Sequence, residues 1–394
     1  MLLWYLLFWS SALWIAYTFL FYPLLLLQVY LVVQIRRDVA YLIGRRERRT
    51  ATLDSAELPG VSLVIPVHNE AARLPAKLAN LRALTYPREK LEIIFIADGC
   101  TDGSDEYLAA HAPECRLLRL PQQAGKALAV NQGVAAARQP IVVLCDAATL
   151  LAPDAVAKLA RHFRDPRVGA VCGALAFDAN EESAATEGVY WRYECLLRLM
   201  EARLGATLTA SGALYALRRE CFRQLPSGAL LDDFLTPMAI RAQRYRIVFD
   251  PEARARDFAE ATIEGEFRRR VRLAVGSFQA LGQLLRAPAD ARTRWAFISH
   301  KVMRWFLPIP LLVLLASSIV LAAQPLFFAV LALQGIFYGL AAWGWWRGVS
   351  SRPARRAERA ARGPRLAYYL LAMNAAFAIG FWRAVSQRDG VSWR

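Results

Sequence analysis

The chain has 394 residues, 56% of them hydrophobic, and its 49 Lys and Arg against 33 Asp and Glu give a formal net charge of +16. The high apolar fraction excludes an intrinsically disordered protein. Three stretches, residues 1–35, 305–346 and 366–382, contain no charged residue and no His. Such stretches are typical of membrane-spanning helices and exclude a protein that is soluble throughout.

The first apolar stretch, residues 1–35, is long enough for one membrane-spanning helix, which we expect to be interrupted near Pro23. It has no basic residues at its start and no small-residue cleavage site before Arg36, so it does not fit a cleavable signal peptide. The second stretch divides at Gln324-Pro325 into two spans joined by a tight turn. The third fits either a tilted span or a re-entrant segment.

Arginines cluster beside these stretches, with six in residues 36–49 and seven in residues 347–365. By the positive-inside rule both clusters lie in the cytoplasm, which places residues 36–304 there and the amino terminus outside. If residues 366–382 cross the membrane, the arginines of the tail would lie outside, against that rule. Because the charge flanks the spans and forms no stripe alternating with exposed aromatics, nucleic acid is not an expected partner.

The six cysteines all fall in the predicted cytoplasmic region, and no two have CxxC spacing. This pattern argues against a zinc site or a disulfide framework and favours reduced, structural cysteines. The four histidines show neither metal-ligand spacing nor a Ser-His-Asp order, so hydrolytic chemistry has no support.

Between the first basic cluster and Arg304, short β-rich segments alternate with helical patterns. Four segments rich in Val, Ile and Leu predict buried strands, at residues 61–67, 91–97, 116–120 and 141–145. Helical patterns follow them at residues 70–84, 102–112, 126–138 and 154–163. This alternation predicts an α/β fold with a parallel sheet covered on both faces and a ligand at the carboxyl ends of the strands.

Polar residues collect at those carboxyl ends. The first strand runs into Pro66-Val-His-Asn-Glu70, the second into Asp98-Gly-Cys-Thr-Asp-Gly-Ser104, and the fourth into Asp146-Ala-Ala-Thr149. The chain contains neither GxGxxG nor GxxxxGKS, which argues against a dinucleotide site and a P-loop. An acid directly after each of two buried strands favours a nucleotide-sugar site instead.

These segments, together with Gly125-Lys-Ala-Leu-Ala-Val-Asn131 and Asp232-Asp-Phe234, resemble the ordered motifs of family 2 glycosyltransferases. The likeness is to membrane-bound bacterial members related to poly-N-acetylglucosamine and cellulose synthases, and it covers residues 61–276. The resemblance implies a GT-A-like α/β domain with flanking transmembrane helices. It also implies a nucleotide-diphosphate sugar donor, usually UDP-linked, and inversion at the anomeric carbon.

The resemblance assigns donor-binding roles residue by residue. Asp98 matches the acid that holds the uracil or ribose, and Pro66, His68 and Glu70 belong to the loop beneath the base. Lys126 matches the turn beside the nucleotide, where its charge and the amide groups at a helix start would favour a diphosphate. The alternative for Lys126 is a solvated helix residue.

Asp146 matches the first acid of the DxD motif, which in the family holds a divalent cation that bridges the two phosphates. The second acid of that motif is replaced by Ala148, so one carboxylate ligand is absent. We therefore expect Mg²⁺ or Mn²⁺ to be held by Asp146, diphosphate oxygens and water, since Mg²⁺ commonly keeps several waters.

Asp232 and Asp233 match the acidic pair of the family, whose second acid is the expected general base. An inverting transfer needs one carboxylate that takes the proton of the acceptor hydroxyl. The alternative is that this pair only starts a helix over residues 234–242, as acids often do.

Arg269, Arg270 and Arg272 lie where polysaccharide synthases carry QxxRW, but the Gln and Trp are missing, and Leu273 stands at the Trp position. The arginines are expected to bind the diphosphate, whereas the missing Trp argues against processive polymerisation. Apolar residues recur at helical spacing here, so the same helix can lie on the membrane surface. They are Phe267, Val271, Ala274, Phe278, Leu281 and Leu285.

The region between the two acidic motifs faces the acceptor in the family. Trp191 is a candidate for stacking on the acceptor sugar, and Ser211 begins a turn that enters a strand. The alternative for Trp191 is packing in the core or at the membrane surface.

The sequence thus predicts an inverting glycosyltransferase of the bacterial inner membrane with a cytoplasmic catalytic domain. Its acceptor would be a polysaccharide or a lipid-linked saccharide, and its other partners membrane lipids and either polysaccharide-export components or a second copy. The alternatives are single-sugar transfer to a membrane lipid and a catalytically impaired nucleotide-sugar-binding protein. The expected boundaries are a transmembrane helix at 1–35, a basic linker at 36–60, the catalytic domain at 61–265, amphipathic interface helices at 266–304, a transmembrane hairpin at 305–346, a basic loop at 347–365, and a transmembrane or re-entrant segment with the tail at 366–394.

Overall fold

The computed structural model of the chain describes residues 1–44, 57–177, 184–210, 212–257, 263–347 and 362–386. Its strands form one eight-stranded sheet in the order β3-β2-β1-β4-β7-β6-β8-β5. They are β1 (Val61–Val67), β2 (Leu91–Asp98), β3 (Arg116–Leu120), β4 (Ile141–Cys145), β5 (Leu150–Leu151), β6 (Val168–Phe177), β7 (Leu214–Arg218) and β8 (Arg246–Asp257).

Strands β1 to β4 pair in parallel and coincide with the four predicted strands to within one residue. The parallel prediction fails beyond β4, because β7 runs antiparallel to both β4 and β6. Leu214 at the start of β7 pairs with Cys145 at the end of β4, so the chain enters β7 from the edge where the first four strands finish. The sheet is therefore mixed.

The helices cover the sheet and extend away from it. They are α1 (Leu2–Ala16), α2 (Tyr22–Gly44), α3 (Leu74–Arg82), α4 (Ser104–His111), α5 (Lys126–Ala136), α6 (Ala155–Ala160), α7 (Ala184–Arg203), α8 (Asp232–Ala242), α9 (Ile263–Arg286), α10 (Ala291–Ala296), α11 (Met303–Trp305), α12 (Pro308–Val320), α13 (Pro325–Trp346) and α14 (Arg362–Ser386). Two π-helical turns, Tyr17–Phe21 and Phe297–Val302, join α1 to α2 and α10 to α11.

Both faces of the sheet are buried, which explains why its strands are continuously apolar. Successive side chains of a strand point to opposite faces. Leu63 and Ile65 of β1 pack in the cluster that contains residues of α3, α4 and α6. Val64, which lies between them, packs in the cluster that contains residues of α5, α8 and α9.

Among the described residues, two helices are long and apolar enough to cross a membrane, Leu2–Ala40 and Pro325–Trp346. A third candidate is the pair Ala291–Trp305 and Pro308–Val320, which is bent by 57°. The first helix is interrupted by the π-helical turn Tyr17–Phe21, shortly before Pro23, and α13 begins at Pro325 as the sequence predicts. Two or three candidate spans make this a membrane protein.

Helix α14 is not among the candidate spans of the described chain, and it packs along α9. The backbone at Gly380 lies against Ala274, and the rings of Phe278 and Phe381 are 5.2 Å apart. We expected this apolar face of α9 to lie in lipid. Over its middle it is instead covered by protein, because α14 supplies a complementary apolar surface.

Candidate active site

The carboxyl ends of β1, β2 and β4 meet at one edge of the sheet, where two loops are tied together. Asn69 accepts a hydrogen bond at Oδ1 from the Thr101 backbone amide, at 2.8 Å. The Glu70 amide donates to Ser104 Oγ, at 2.9 Å, and the Ala71 amide donates to Asp102 Oδ2, at 2.9 Å. These bonds fix the loop after β1 against the loop after β2, which gives a pre-formed polar rim.

Asp98 lies at the end of β2 and is fully buried. Its two carboxylate oxygens accept the backbone amides of Ala124 and Gly125, at 2.7 and 2.9 Å. Gly99 follows with φ +57°, and a Cβ there would lie 2.2 Å from the Gln123 amide nitrogen, so only glycine fits. Asp98 thus fixes the turn that leads into α5, and its predicted contact with the nucleoside stays a prediction.

The other residues of the first loop lie on the same rim. Pro66 is buried within β1, opposite Ile96 of β2. His68 Nδ1 is 2.6 Å from the backbone oxygen of Asp98. The Glu70 carboxylate pairs with Arg73 at 2.7 Å. The structure thus brings all three predicted loop residues to one edge of the sheet.

Lys126, the first residue of α5, joins two of the predicted acids. Its Nζ lies 2.8 Å from Asp146 Oδ1 and 3.4 Å from Asp232 Oδ1. Although burial alone would lower the pKa of Lys126, the charges of Asp146 and Asp232 raise it, so the side chain stays positive. Lys126 is therefore a bridge between β4 and α8 rather than a solvated helix residue.

Asp232 and Asp233 begin α8, so this pair does start a helix, yet it also lies in the site. Burial raises the pKa of both carboxyls, and the neighbouring charge of Asp232 helps to raise the pKa of Asp233 to about 6. The Asp233 carbonyl accepts the Ala210 amide at 2.8 Å. A carboxylate with such a pKa is suited to accept a proton near neutral pH.

The donor set around Asp146 fits a divalent cation with one protein carboxylate. Asp146 is half-exposed at the end of β4, and within the described residues its Oδ2 has no partner. In that same part of the chain no three His, Cys, Asp or Glu side chains come together as a metal site. A cation here would need phosphate oxygens and water as its remaining ligands, which is acceptable for Mg²⁺.

The arginines predicted to bind the diphosphate lie on α9. Arg269 and Arg270 both pair with the buried Glu266, each at 2.8 Å. Arg272 lies on the same helix and is half-buried. Two of the three guanidinium groups are thus held by an acid of their own helix, and their contact with a diphosphate stays a prediction.

The two acceptor candidates cannot be located by their side chains. Ser211 lies outside the described residues, and Trp191 lies on α7 with its side chain outside that description. The neighbouring backbone does reach the site, since a Cβ placed on Gly212 would lie 3.5 Å from Asp233 Oδ2. The segment after α7 therefore borders the candidate base.

Lys77 is a site residue that we did not anticipate. Its fully buried ammonium donates to the Asp146 and Thr149 carbonyls, at 3.0 and 2.6 Å, and to Cys145 Sγ, at 3.1 Å. These hydrogen bonds hold in place the loop that carries Asp146. A signal was present in the sequence, because Lys77 lies on the apolar stripe of α3 with Leu74, Leu78 and Leu81.

Tyr215 is a second unanticipated residue, fully buried on β7 opposite Leu144. Burial, reinforced by the negative charge of Asp232, raises the pKa of Tyr215 well above its usual value. Its hydroxyl therefore keeps its proton beside the carboxylates. Nothing in the sequence distinguished this tyrosine from other core aromatics.

A buried ionic cluster joins α7 to the membrane helices. His300 lies between two carboxylates, with Nε2 3.0 Å from Glu194 and Nδ1 2.6 Å from Glu201. The Tyr22 hydroxyl donates to Glu201 at 2.6 Å. Although burial opposes ionisation, the charges of His300 and Lys301 hold the pKa of Glu194 well below its usual value. The cluster fixes the catalytic domain to the first membrane helix.

Arg198 belongs to the edge of this cluster, with Nε 3.5 Å from Glu194 Oε1. Its charge also reaches the site: burial and Asp232 raise the pKa of Asp233, whereas Lys126 and Arg198 oppose that rise. Arg198 thus connects the ionic cluster to the candidate base. Sequence reasoning missed it because its partners lie on other elements or one turn away on α7.

Comparison with protein families gives a match between residues 62–225 and the family described as Glycosyl transferase family 2. The chain is similar to the poly-beta-1,6-N-acetyl-D-glucosamine synthase of Staphylococcus aureus, with 27% identity over 275 residues. This match covers 66% of the chain and 65% of that relative. The chain is also 28% identical, over 242 residues, to an N-acetylglucosaminyltransferase of Mesorhizobium japonicum, with 56% of each covered.

Among solved structures, the chain resembles the mannosyltransferase PcManGT from Pyrobaculum calidifontis, determined in complex with GDP-Man and Mn²⁺. The TM-score is 0.67 at 23% sequence identity, and the match covers 96% of this chain and 99% of that one. This likeness extends over the membrane helices as well as the sheet. It confirms the predicted GT-A-like α/β fold.

Proposed function

Because this chain is a family 2 glycosyltransferase, we propose that it is an inverting enzyme that transfers a sugar from a UDP-linked donor to a hydroxyl group of a saccharide or lipid-linked acceptor. The observation that carries this proposal is the group of Lys126, Asp146, Asp232 and Asp233 at the carboxyl edge of the sheet. This group places the positive charge of Lys126 and the buried carboxylate of Asp233 at the carboxyl ends of the strands, where α/β folds of this kind bind their ligands.

Asp233 acts as the general base. As the acceptor oxygen attacks the anomeric carbon, its proton passes to the Asp233 carboxylate, and the bond from that carbon to the donor phosphate breaks. Attack from the face opposite the leaving group inverts the configuration. Burial and Asp232 raise the pKa of Asp233 to about 6, which leaves it ionised and basic at neutral pH.

Lys126 stabilises the leaving nucleoside diphosphate. Its charge is held within reach of Asp146, at 2.8 Å, and so stands where the donor phosphates are expected. A positioned cation of this kind is most effective where charge develops in the transition state. Asp146 would hold Mg²⁺ or Mn²⁺, which when bound would neutralise the diphosphate charge.

The relatives support a finer proposal for the sugar. They are named as a poly-β-1,6-N-acetylglucosamine synthase and an N-acetylglucosaminyltransferase, so we propose UDP-N-acetylglucosamine as the donor. Whether the product is a polymer or a single added sugar gives two candidates. Leu273 at the position of the missing Trp favours single transfer to a membrane lipid, whereas the name of the first relative favours a polymer.

The proposed setting is the cytoplasmic face of a bacterial inner membrane. The arginine-rich segments on either side of the spans support that orientation. Membrane lipids, polysaccharide-export proteins or a second copy are the partners we expect there. The presence of Asp98, Asp146 and Asp233 argues against the catalytically impaired alternative.

The test is release of UDP by the detergent-purified full chain across a panel of UDP-sugars, with and without Mg²⁺ or Mn²⁺. We expect release with UDP-N-acetylglucosamine when membrane lipids or oligosaccharide are added, and a β-linked product by NMR from the α-linked donor. An α-linked product would contradict inversion. Release with another UDP-sugar alone would contradict only the choice of sugar.

A further inference from the structure

A cavity lies at the opposite end of the sheet from the candidate active site. It has a volume of about 1650 Å³ and is lined by the starts of β6 and β8 and by the ends of α7 and α8. Asp233 is at the start of α8, and the cavity is at its end, one helix of 11 residues away. At 1.5 Å per residue, the eight steps from Asp233 to Arg241 in the cavity lining correspond to about 12 Å, so the cavity is not part of the transfer site.

The cavity is strongly basic, with seven arginines and His162 against four acids in its lining. Four of the arginines are neutralised: Arg161 by Asp250, Arg164 by Glu57, Arg241 by Asp290 and Arg246 by Asp165. Within the described chain the other three, Arg37, Arg203 and Arg244, take part in no ion pair. The cavity therefore carries positive charge that the described part of the chain does not balance.

These three arginines come from three separate elements. Arg37 is on α2, Arg203 ends α7, and Arg244 is in the turn between α8 and β8. Arg244 has φ +68°, a left-handed backbone conformation in which glycine is favoured. Backbone preference therefore does not explain an arginine at this turn. Convergence of three like charges on one cavity is unfavourable unless an anion joins them.

The position of Arg37 connects the cavity to the membrane. The turns of α2 just before it present exposed apolar side chains, including Leu31, Val32 and Ile35. Apolar residues followed at once by arginines are typical of a helix that leaves the hydrocarbon core at the phosphate layer. Arg37 would thus stand at the level of the lipid phosphates, and Arg203 and Arg244, which are exposed as well, line the same cavity.

We propose that this cavity binds the phosphate headgroup of an anionic membrane phospholipid, with the acyl chains along the exposed apolar face of α2. Guanidinium groups suit this role because their planar N–H groups match phosphate oxygens. The site is independent of the transfer reaction. It would hold the catalytic domain against the membrane at the end of α2.

The test is native mass spectrometry of the full chain in detergent, titrated with phosphatidylglycerol or phosphatidylcholine. We expect the wild type to retain phosphatidylglycerol preferentially. The triple variant R37Q/R203Q/R244Q should bind it on the order of 10- to 100-fold more weakly, since each basic group at a membrane surface contributes a factor of about five. The lysine variant R37K/R203K/R244K keeps the charge and should retain most of the binding.

The matched control is R82Q/R138Q/R223Q, which removes the same charge from exposed arginines outside the cavity and should bind like the wild type. Equal retention of phosphatidylglycerol by R37Q/R203Q/R244Q and the wild type would overturn the proposal. So would equal retention of phosphatidylcholine by the wild type. Displacement of the lipid by millimolar inorganic phosphate would also overturn it, because the ligand would then be a soluble anion.

Discussion

The ammonium nitrogen of Lys126 lies 2.8 Å from Oδ1 of Asp146. This pair joins the first residue of α5 to the residue that follows β4, and the same lysine reaches Asp232 at 3.4 Å. The expected second carboxylate of the DxD motif is absent, since Ala148 takes its position. The site therefore contains the positive charge of Lys126, and it has one acid fewer than a complete DxD motif would supply.

Replacement of Lys126 by Met should lower kcat/KM on the order of 100-fold, the scale seen when one stabilising donor is removed from a catalytic site. The loss leaves Asp146 and Asp232 close together without the charge between them. Lys126→Arg should retain an intermediate rate. UDP release by the purified variants measures both. Lys158→Met, which removes a lysine paired with Asp154 away from the site, is the control. A Lys126→Met enzyme as active as this control would contradict the assignment.

The pH dependence of kcat/KM should report the ionisation of Asp233. Burial and the charge of Asp232 raise the pKa of Asp233 to about 6, and the base works only when deprotonated. Activity should therefore rise as the pH increases through about 6 and level off above it. The measurement is UDP release between mildly acid and mildly alkaline pH at low donor concentration.

The variant Arg198→Gln tests in which direction the rising limb of the pH profile moves. The pKa of Asp233 is raised by burial and by Asp232, and the positive charge of Arg198 opposes the rise. Without that charge the rising limb should move to higher pH. Arg203→Gln, on the same helix, should leave the limb in place. A limb that moves to lower pH in Arg198→Gln would contradict the base assignment.

Lys77→Met should weaken donor binding through the Asp146 loop. The variant leaves two buried carbonyl groups, at Asp146 and Thr149, without their donor. The donor KM should rise about tenfold, because small displacements of a positioned group are costly, and the melting temperature should fall. Leu78→Met, a conservative change in the same helix, is the matched control. An unchanged donor KM in folded Lys77→Met would mean that the lysine only stabilises the core.

His300→Leu should destabilise the junction between the catalytic domain and the membrane helices. It leaves the carboxylates of Glu194 and Glu201 without the ring between them. Breaking one partner of a buried ion pair costs about 3–5 kcal/mol, which corresponds to a fall in melting temperature on the order of 10 °C. Adding Glu201→Gln should restore part of this loss, because it removes one buried charge. His111→Leu, at the surface, should change little.

Much of the fold was predictable because its signals are local. The strands β1 and β4 match their predicted ends, since the largely apolar segments are bounded by Gly60 and His68 in β1 and by Pro140 and Asp146 in β4. Polar residues, including Asp98 after β2 and Asp146 after β4, were predicted to collect at the carboxyl ends of the strands because parallel strands finish at one edge. The contact of Lys126 with Asp146 lies at that edge, whereas its contact with Asp232 depends on where α8 begins.

The rest depended on contacts between distant parts of the chain. Tyr22 and Glu201 are 179 residues apart, and no periodicity in either segment indicates that they meet. The apolar stripe of α9 was correctly predicted, but whether lipid or protein covers it depends on α14. A strand after Ser211 was predicted, but the antiparallel direction of β7 was missed because a strand carries no local sign of its direction.

The account is tested most directly by UDP release from UDP-N-acetylglucosamine by the wild type and Asp233→Asn, measured with and without a lipid or oligosaccharide acceptor. The wild type should show acceptor-dependent release. The rate of acceptor-dependent release by Asp233→Asn should be lower on the order of 1000-fold, which is the scale of general-base catalysis. The variant should still bind UDP as the wild type does. Acceptor-dependent release by Asp233→Asn at the wild-type rate would contradict the central claim that Asp233 is the base.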